Sequence, residues 1–435
     1  MWFFLRKLLV ASFKKKIRTL LAGNVSAQLI LALGSIPLAR LYTPDQFGIF
    51  GVILSSGMIL SHLATLSLEN TFMLSRSRTV HSSALFAFLG SFTLLATGIL
   101  LVGLFVSGRT IHGTEISLGL LVAIVFSTFF YSLYKVCTQY QLAMGDFKRT
   151  SSSKLIQSLS VVLLQLVLFG AQSGLILGYL AGLFISVIAI WPRSILSRRP
   201  NRLKFSGFLR KYRNFPFYHM PASFFAALSS NILIFILSYQ FNLAAVGHYL
   251  MAHRIVSIPI TYLTTSIGQA YYSEITKSDA NVAQITENLA TRSWLYASPI
   301  FLIFLLCSEV GFQFFFGDEW RESGHIAAIL TPWLLISFVT GPLSYIFPAT
   351  GNQRLDFLLT ILIFSLRVSG VLLGGMTGNF QMAILGFSAF GSLSLAIYSF
   401  FIFRTAGSGK AKSLKLSVLP LAFFWLIYLL AEELL

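Results

Sequence analysis

The chain has 435 residues, of which 56% are hydrophobic and only 11% are charged, and its net charge is +18. Soluble domains carry about 25% charged residues, so this composition excludes a water-soluble protein. Mean hydropathy is +0.78, and apolar runs long enough to cross about 30 Å of hydrocarbon recur from end to end. The basic residues lie mainly in the connections between these runs, where they report membrane orientation rather than nucleic-acid binding.

The first 19 residues predict a basic interfacial helix rather than a cleavable signal peptide. Residues 2–13 are apolar and aromatic but are interrupted by Arg6 and Lys7, and a basic cluster at 14–18 precedes the first full span. No small-residue cleavage pattern follows. Aromatic and basic side chains on opposite faces are typical of a helix that lies in the membrane surface.

Thirteen apolar segments follow, and each predicts a membrane-spanning helix. Six form an N-terminal lobe at residues 20–192, a basic cytoplasmic linker occupies 193–214, and six form a C-terminal lobe at 215–403. A second basic linker and an extra helix fill residues 404–435. The predicted spans are 20–40, 47–70, 82–106, 117–138, 152–170, 173–192, 215–240, 246–270, 293–316, 325–348, 355–374, 380–403 and 414–431.

Most of the 32 Lys and Arg residues fall on the same side of these spans as the N-terminus. Lys135 and Lys154 are counted among them, as residues of the inner connections. Because positive charge accumulates in cytoplasmic connections, we predict that the N-terminus is cytoplasmic.

Two stretches half a chain apart share one pattern, in which a helix, a glycine-marked turn and a returning helix follow one another. Laying Gly48 on Gly247 aligns the two copies, and Arg254 of the second copy then falls on Ser55 of the first. Since each lobe has an even number of spans, we expect the repeats to be related by an axis along the membrane normal, with a substrate route between them.

Amide and hydroxyl side chains occur at helical spacing within three spans. Asn24 and Gln28 share one face of the first span. Ser223 lies on a polar face of the seventh span, and Gln157 on one of the fifth. Such groups can simply hold helices together in lipid. Because the first and seventh spans are equivalent in the two repeats, a shared hydrophilic cleft is the competing interpretation.

Charged side chains inside a span are costly and indicate function by default. Arg367 lies about 18 Å into the eleventh span at 1.5 Å per residue, near the middle of the membrane. Arg254 lies about 10–12 Å below the outer surface by the same rise, and its side chain can extend back to that surface. Glu69 ends the second span at the cytoplasmic interface, as a solvated or helix-pairing carboxylate or as a candidate for ion coupling. The deep charge is therefore basic, which suits an anionic headgroup.

Three segments resemble Wzx-type polysaccharide flippases. The first contains Gly23-Asn24, Gln28, Pro37 and residues 40–48. The second contains Phe215-Pro216, Pro221 and Ser229, followed by residues 246–249, Arg254, Pro259 and Ile267-Gly268. The third contains residues 316–320, Gly324, Pro332-Trp333 and Pro342-Leu343-Ser344.

The superfamily of these proteins also contains the lipid II flippase and the MATE multidrug antiporters. The resemblance implies an all-α, MATE-like fold with two six-helix bundles in a bacterial inner membrane. The predicted thirteenth helix departs from the even number of spans that is usual in these proteins. It further implies ion-coupled movement of undecaprenyl-pyrophosphate-linked oligosaccharide to the periplasmic leaflet for surface polysaccharides such as O-antigen. Relatives bind substrate in a cationic central cavity, and Arg254 matches a motif arginine. A polysaccharide polymerase and a chain-length regulator are candidate partners.

Two other functions remain open on the sequence. A multidrug or cation antiporter of the same fold would need carboxylates in its cleft, which are scarce here. A membrane-embedded polysaccharide polymerase or ligase would need a substantial periplasmic loop, and the predicted spans leave none. The sequence indicates no catalytic residue, no cofactor and no metal site. The predicted cavity residues are Arg254, Arg367, Asn24, Gln28, Gln157 and Ser223, with Glu69 as the candidate for ion coupling.

Overall fold

The structure is a computed structural model that describes residues 11–75, 78–106, 110–111, 114–115, 117–171, 173–191, 202–276 and 281–434. Its α-helices, in chain order, are α1 (Ala11–Leu41), α2 (Pro44–Thr65), α3 (Thr71–Leu74), α4 (Arg78–Val106), α5 (Leu118–Ala143), α6 (Phe147–Val167), α7 (Gly174–Ile190), α8 (Arg202–Lys211), α9 (Met220–Gln240), α10 (Leu243–Ile275), α11 (Val282–Phe316), α12 (Arg321–Leu343), α13 (Ile346–Ala349), α14 (Gln353–Gly375), α15 (Phe380–Thr405) and α16 (Lys410–Leu434). Two short strands, β1 (Thr110–Ile111) and β2 (Thr114–Glu115), pair as an antiparallel hairpin.

Ten helices of the described chain are long and apolar enough to cross a membrane, and α7 is apolar but shorter. Large apolar side chains such as Leu94 and Val310 are exposed on these helices, as expected of surfaces that face lipid. The prediction of an all-helical, multi-pass membrane protein is confirmed, whereas the number of thirteen spans stays a prediction. The interfacial helix predicted at residues 1–19 and the linker predicted at 193–214 lie partly outside the described residues.

The chain divides into two compact units, at residues 1–247 and 248–435. In the first unit α1 and α7 both pack against α6, while α5 and α9 pack against α2. In the second unit α14 packs against α15, and α12 packs against α11 and α15. The lobe boundaries inferred from the sequence stay a prediction.

The start of α2 follows directly from its sequence. The Thr43 hydroxyl accepts a hydrogen bond from the Gln46 backbone N–H, and the Gln46 side chain accepts one from the Thr43 backbone N–H. This reciprocal cap satisfies donors that would otherwise be orphaned at the helix start. Pro44 occupies the first turn, where its missing N–H costs nothing.

The end of α2 differs from the prediction of one continuous span through residue 70. The helix stops at Thr65, and Leu66 and Ser67 adopt φ angles of 50° and 54°. Side chains with a Cβ are uncommon in this left-handed region, so neither residue signals the break in advance. The chain then forms a 3-10 turn at Leu68–Asn70 before α3. Glu69 therefore sits in a buried break between helices rather than at the end of a span.

Two prolines of the tenth predicted span lie inside a continuous helix. Pro332 and Pro342 lie inside α12, which is continuous from Arg321 to Leu343. Pro348 belongs to the separate short helix α13. Membrane helices tolerate internal proline where neighbouring helices satisfy the freed backbone groups, and α12 is packed between α11 and α15.

The aligned glycines Gly48 and Gly247 pack reciprocally within the first unit. Each lies against the backbone of the other copy of the repeat. A Cβ at Gly48 would overlap the carbonyl oxygen of Leu243, and a Cβ at Gly247 would overlap that of Pro44. Pro44 and Leu243 are themselves equivalent in the alignment that matches the two glycines. When two elements are related by a twofold axis, a residue of the first contacts a different residue of the second, and the equivalent pair makes the same contact in reverse. The first turns of α2 and α10 thus meet as matched copies.

Candidate functional site

The second unit holds an arginine surrounded by aromatic rings. The Arg367 guanidinium lies 5.1 Å from the ring centre of Trp333 and 5.8 Å from that of Phe387. The two rings are themselves 5.0 Å apart at a steep angle. Both distances from the cation fall within the range of cation–π attraction. Among the described residues, no group accepts a hydrogen bond from the buried Arg367 Nε–H.

A column of rings on α10 extends this cluster. The His253 ring stacks on Trp333 at 6.2 Å, and the Tyr249 ring stacks on His253 at 5.5 Å. We call Arg367, Trp333, Phe387, His253 and Tyr249 the arginine cluster. The rings of Trp333, Phe387 and Tyr249 are themselves buried, so the group that the cluster offers to an anion is the guanidinium.

Glycines position Arg367 by allowing α14 and α15 to approach at backbone distance. A Cβ at Gly370 would overlap the carbonyl oxygen of Gly386, and a Cβ at Gly386 would overlap that of Gly370. Arg367 precedes Gly370 by nearly one helical turn, so its side chain starts beside this close contact. The approach of the two helices brings Phe387 of α15 within reach of the guanidinium.

Arg254 follows His253 on α10 and is half-buried. Successive helical residues point about 100° apart around the helix axis. His253 belongs to the arginine cluster, so Arg254 projects from a neighbouring face of α10. The cation–π contacts that define the cluster are those of Arg367.

In the first unit, Asn24 lies against a lysine on the parallel helix α6. The Lys154 Nζ donates a hydrogen bond of 2.6 Å to the Asn24 Oδ1. Lys154 was counted as a residue of an inner connection, but it belongs to the second turn of α6, so that assignment is wrong. Lys154 serves instead as a half-buried cation facing α1.

The register of α1 on α6 also relates the two predicted glutamines. Gly23 packs on Ser151 and Gly34 packs on Val162, so the two helices run side by side in the same direction. Gln28 and Gln157, both half-buried, fall at the same level in this register. Three predicted residues, Asn24, Gln28 and Gln157, therefore share one helix pair, which we call the amide pair.

Ser223 makes a local contact. Its hydroxyl lies 3.2 Å from the His219 Nδ1, one turn earlier on the path into α9. His219 belongs to a π-helical turn, Phe215–His219, that precedes α9. Turns of this kind are frequently found at functional sites. The structure therefore places Ser223 in the first unit.

Glu69 is buried, and its nearest charge is Lys135 of α5. The Lys135 Nζ lies 2.7 Å from the Glu69 Oε1 and 3.2 Å from the His62 Nδ1. The predicted span 117–138 already contained Lys135, so counting this lysine in a connection was wrong. Glu69 is thus not solvated, and its pairing with Lys135 is compatible with both other sequence alternatives, a helix-pairing carboxylate and an ion-coupling residue.

The side chains that contact Glu69, Asn24 and Arg367 are not among the residues predicted from the sequence. Lys135 and Lys154 are half-buried cations within helices, and a charge count along the spans finds both. Trp333 and Phe387 are common residue types in a membrane protein, and nothing local connects them with Arg367. Their role depends on the packing of α12, α14 and α15.

The family model for "Polysaccharide biosynthesis protein" matches residues 37–325. The chain belongs to this family. The predicted resemblance to Wzx-type flippases is thereby confirmed. No curated protein matches the chain.

Solved structures of transporters share the fold. A structure titled "Lipid II flippase MurJ, inward closed conformation" aligns with a TM-score of 0.73 at 14% identity, over 94% of this chain and 92% of that one. An inward-facing multidrug resistance MATE family transporter of the MOP superfamily aligns with a TM-score of 0.62 at 12% identity, over 93% and 96%. The fold is thus one shared with membrane transporters, and the family connects the chain with polysaccharide biosynthesis.

Proposed function

We propose that the protein moves undecaprenyl-pyrophosphate-linked oligosaccharide from the cytoplasmic to the periplasmic leaflet of a bacterial inner membrane, by ion-coupled alternating access. The family supports a role in polysaccharide biosynthesis. The substrate would be a precursor of a surface polysaccharide such as O-antigen or capsule, delivered to a polymerase and a chain-length regulator. The N-terminus would face the cytoplasm.

The arginine cluster is the observation that carries this proposal. A guanidinium is planar and always charged, and it can bind phosphate oxygens through two parallel hydrogen bonds. Within the described residues the Arg367 Nε–H has no acceptor, and the side chain is held by rings rather than by a carboxylate. An arriving pyrophosphate would supply the missing acceptor and charge.

The amide pair offers the second part of the recognition. Asn24, Gln28 and Gln157 present groups that can both donate and accept hydrogen bonds, as sugar hydroxyls do. Lys154 holds Asn24 by its Oδ1, which leaves the Asn24 amide N–H groups available to a ligand. Ser223 and Arg254 would add a hydroxyl and a second cation. The lipid tail would stay in the bilayer, so only the headgroup requires polar partners.

The test replaces Arg367 in the full-length protein and follows the glycolipid. The gene is deleted, and the strain is complemented with wild type, Arg367→Ala, Arg254→Ala or the control Arg354→Ala, whose side chain is exposed at the start of the same helix α14. We expect Arg367→Ala to lower surface polysaccharide export at least about tenfold, since hydrogen bonds to charged groups contribute about 1.5–3 kcal/mol. Arg254→Ala should also lower export, whereas Arg354→Ala should export normally.

Export at the full rate by both the Arg367→Ala and Arg254→Ala variants, with normal membrane insertion, would overturn the site assignment. An unchanged distribution of lipid-linked saccharide between the leaflets in the deletion strain would overturn the function. Resistance to cationic dyes on overexpression would favour the antiporter alternative.

A further inference from the structure

The first unit contains a group of three ionisable side chains that the headgroup does not require, a buried carboxylate with two half-buried bases beside it. We call Glu69, Lys135 and His62 the buried triad. Glu69 is the sole carboxylate among the buried side chains of the described residues. It is carried by the left-handed break at Leu66 and Ser67. Non-glycine residues in this conformation are rare, and they concentrate at functional sites.

The surroundings of Glu69 are apolar. Its neighbours Leu68 and Phe72 belong to a hydrophobic core cluster that also contains Ala64, Tyr134 and Tyr140. The Glu69 side chain has no exposure, and Lys135 is 23% exposed. In such surroundings an isolated carboxylate would be strongly disfavoured. The ammonium group of Lys135, 2.7 Å from the Glu69 Oε1, is the countercharge that this carboxylate has in the apolar surroundings.

The lysine also fixes the protonation state of His62. An ammonium group only donates hydrogen bonds, so the His62 Nδ1 at 3.2 Å must carry a lone pair. The triad is thus neutral overall, with one negative, one positive and one uncharged member. Other titratable groups lie nearby. His219 interacts electrostatically with His62, whereas His81 of α4 and Tyr140 of α5 both pack on Phe72, and the His81 ring also bonds the Ser75 carbonyl.

We propose that the coupling ion of transport is a proton and that the buried triad is its binding site. This inference rests on the proposed function. A proton that binds the Glu69 carboxylate forms an O–H bond and removes the charge that holds Lys135. The triad then carries one net positive charge in an apolar core, which is costly until the cation reaches water. Proton binding therefore favours a conformation in which Lys135 is more exposed, and proton release restores the buried pair.

The same geometry disfavours sodium as the coupling ion. Sodium would require several oxygen ligands around the carboxylate, but the Lys135 ammonium already occupies the space 2.7 Å from the Glu69 Oε1. A second cation at this distance would be repelled in a region of low dielectric constant. A proton needs no such space, because it bonds directly to the oxygen.

The experiment measures the leaflet distribution of the glycolipid at steady state in proteoliposomes. The full-length protein is reconstituted with undecaprenyl-pyrophosphate-linked oligosaccharide extracted from the deletion strain, and a pH gradient of one unit is imposed. For one proton per cycle the wild-type distribution should shift about tenfold, because one pH unit is a tenfold difference in proton activity. A sodium gradient of equal size should produce no shift.

The decisive variant is Glu69→Gln, which cannot bind or release the proton and should show no shift with the pH gradient. Its matched control is Glu309→Gln in the second unit, which removes a carboxylate that also pairs with a histidine, His325, at 2.8 Å. The control should keep the tenfold shift. A tenfold shift in Glu69→Gln, or a shift driven by sodium in wild type, would overturn the proposal.

A second readout does not depend on the glycolipid. Infrared difference spectra of the purified protein between high and low pH should contain the C=O band of a protonated carboxylic acid. This band should be lost in Glu69→Gln and retained in Glu309→Gln. If the glycolipid fails to move in any sample but this band behaves as expected, the proposed function fails while the proton site stands. Retention of the whole band in Glu69→Gln would overturn the proton site itself.

Discussion

Two half-buried cations of this protein, Lys135 in the first unit and Arg367 in the second, are held in opposite ways. Lys135 has a carboxylate at 2.7 Å and an imidazole at 3.2 Å. Arg367 is held by the faces of two aromatic rings, and its Nε–H has no acceptor in the described part of the chain. A cation that is already neutralised is suited to exchange protons with its partner, whereas a cation without a counterion is suited to bind an external anion.

Replacing Lys135 should have the largest effect on stability and would sharpen this contrast most. Lys135→Met should destabilise the protein by about 3–5 kcal/mol, because it leaves Glu69 as a buried carboxylate without a counterion. Thermal unfolding of the purified protein in detergent measures this loss. The double variant Glu69→Gln/Lys135→Met removes both charges and should recover most of the stability. Equal stability of Lys135→Met and wild type would show that Glu69 is not ionised in the folded protein.

A smaller effect is expected where backbone packing positions Arg367. Gly370→Val places a side chain against the Gly386 carbonyl of α15, and overpacking of this kind typically costs about 1–3 kcal/mol. The same unfolding assay measures it, together with a loss of polysaccharide export. Gly90→Val is the control, since the space around Gly90 is open. If Gly370→Val leaves export normal, the position of Arg367 does not depend on this close contact.

The smallest effect on stability should come from Arg367 itself. Arg367→Met removes a desolvated charge and gains an apolar side chain, while losing a cation–π attraction of about 1–2 kcal/mol. These contributions oppose each other, so we expect the free energy of unfolding to lie within about 1 kcal/mol of the wild-type value. Polysaccharide export should nevertheless fall markedly. A loss of stability as large as that of Lys135→Met would break the comparison, because it would mean that Arg367 has a strong internal partner.

The sequence predicts the membrane class, most helices and the family, because all three depend on patterns that are local in the chain. Apolar runs set the spans, and the Thr43-Pro44-Asp45-Gln46 segment sets the start of α2. The repeat marked by Gly48 and Gly247 is also visible in the sequence. The reciprocal packing of the two glycines then follows from their equivalence.

The surroundings of the charged residues could not be predicted in the same way. The break after Thr65 involves Leu66 and Ser67, which carry no turn signal, so Glu69 was placed at the end of a span. Its partner Lys135 comes from a helix that begins about fifty residues later in the chain. In the second unit, Arg367 depends on rings from two other helices. Depth in the membrane identified this arginine as a candidate, but only packing shows what surrounds it.

The first turns of α2 and α10 meet at Gly48 and Gly247 through backbone atoms alone. Elsewhere helices are held in register by side chains that interdigitate, and sliding or rolling them requires those side chains to repack. At this point no side chain separates the two backbones. A backbone carbonyl cannot move aside as the end of a flexible side chain can, so any side chain at either glycine would force the two first turns apart.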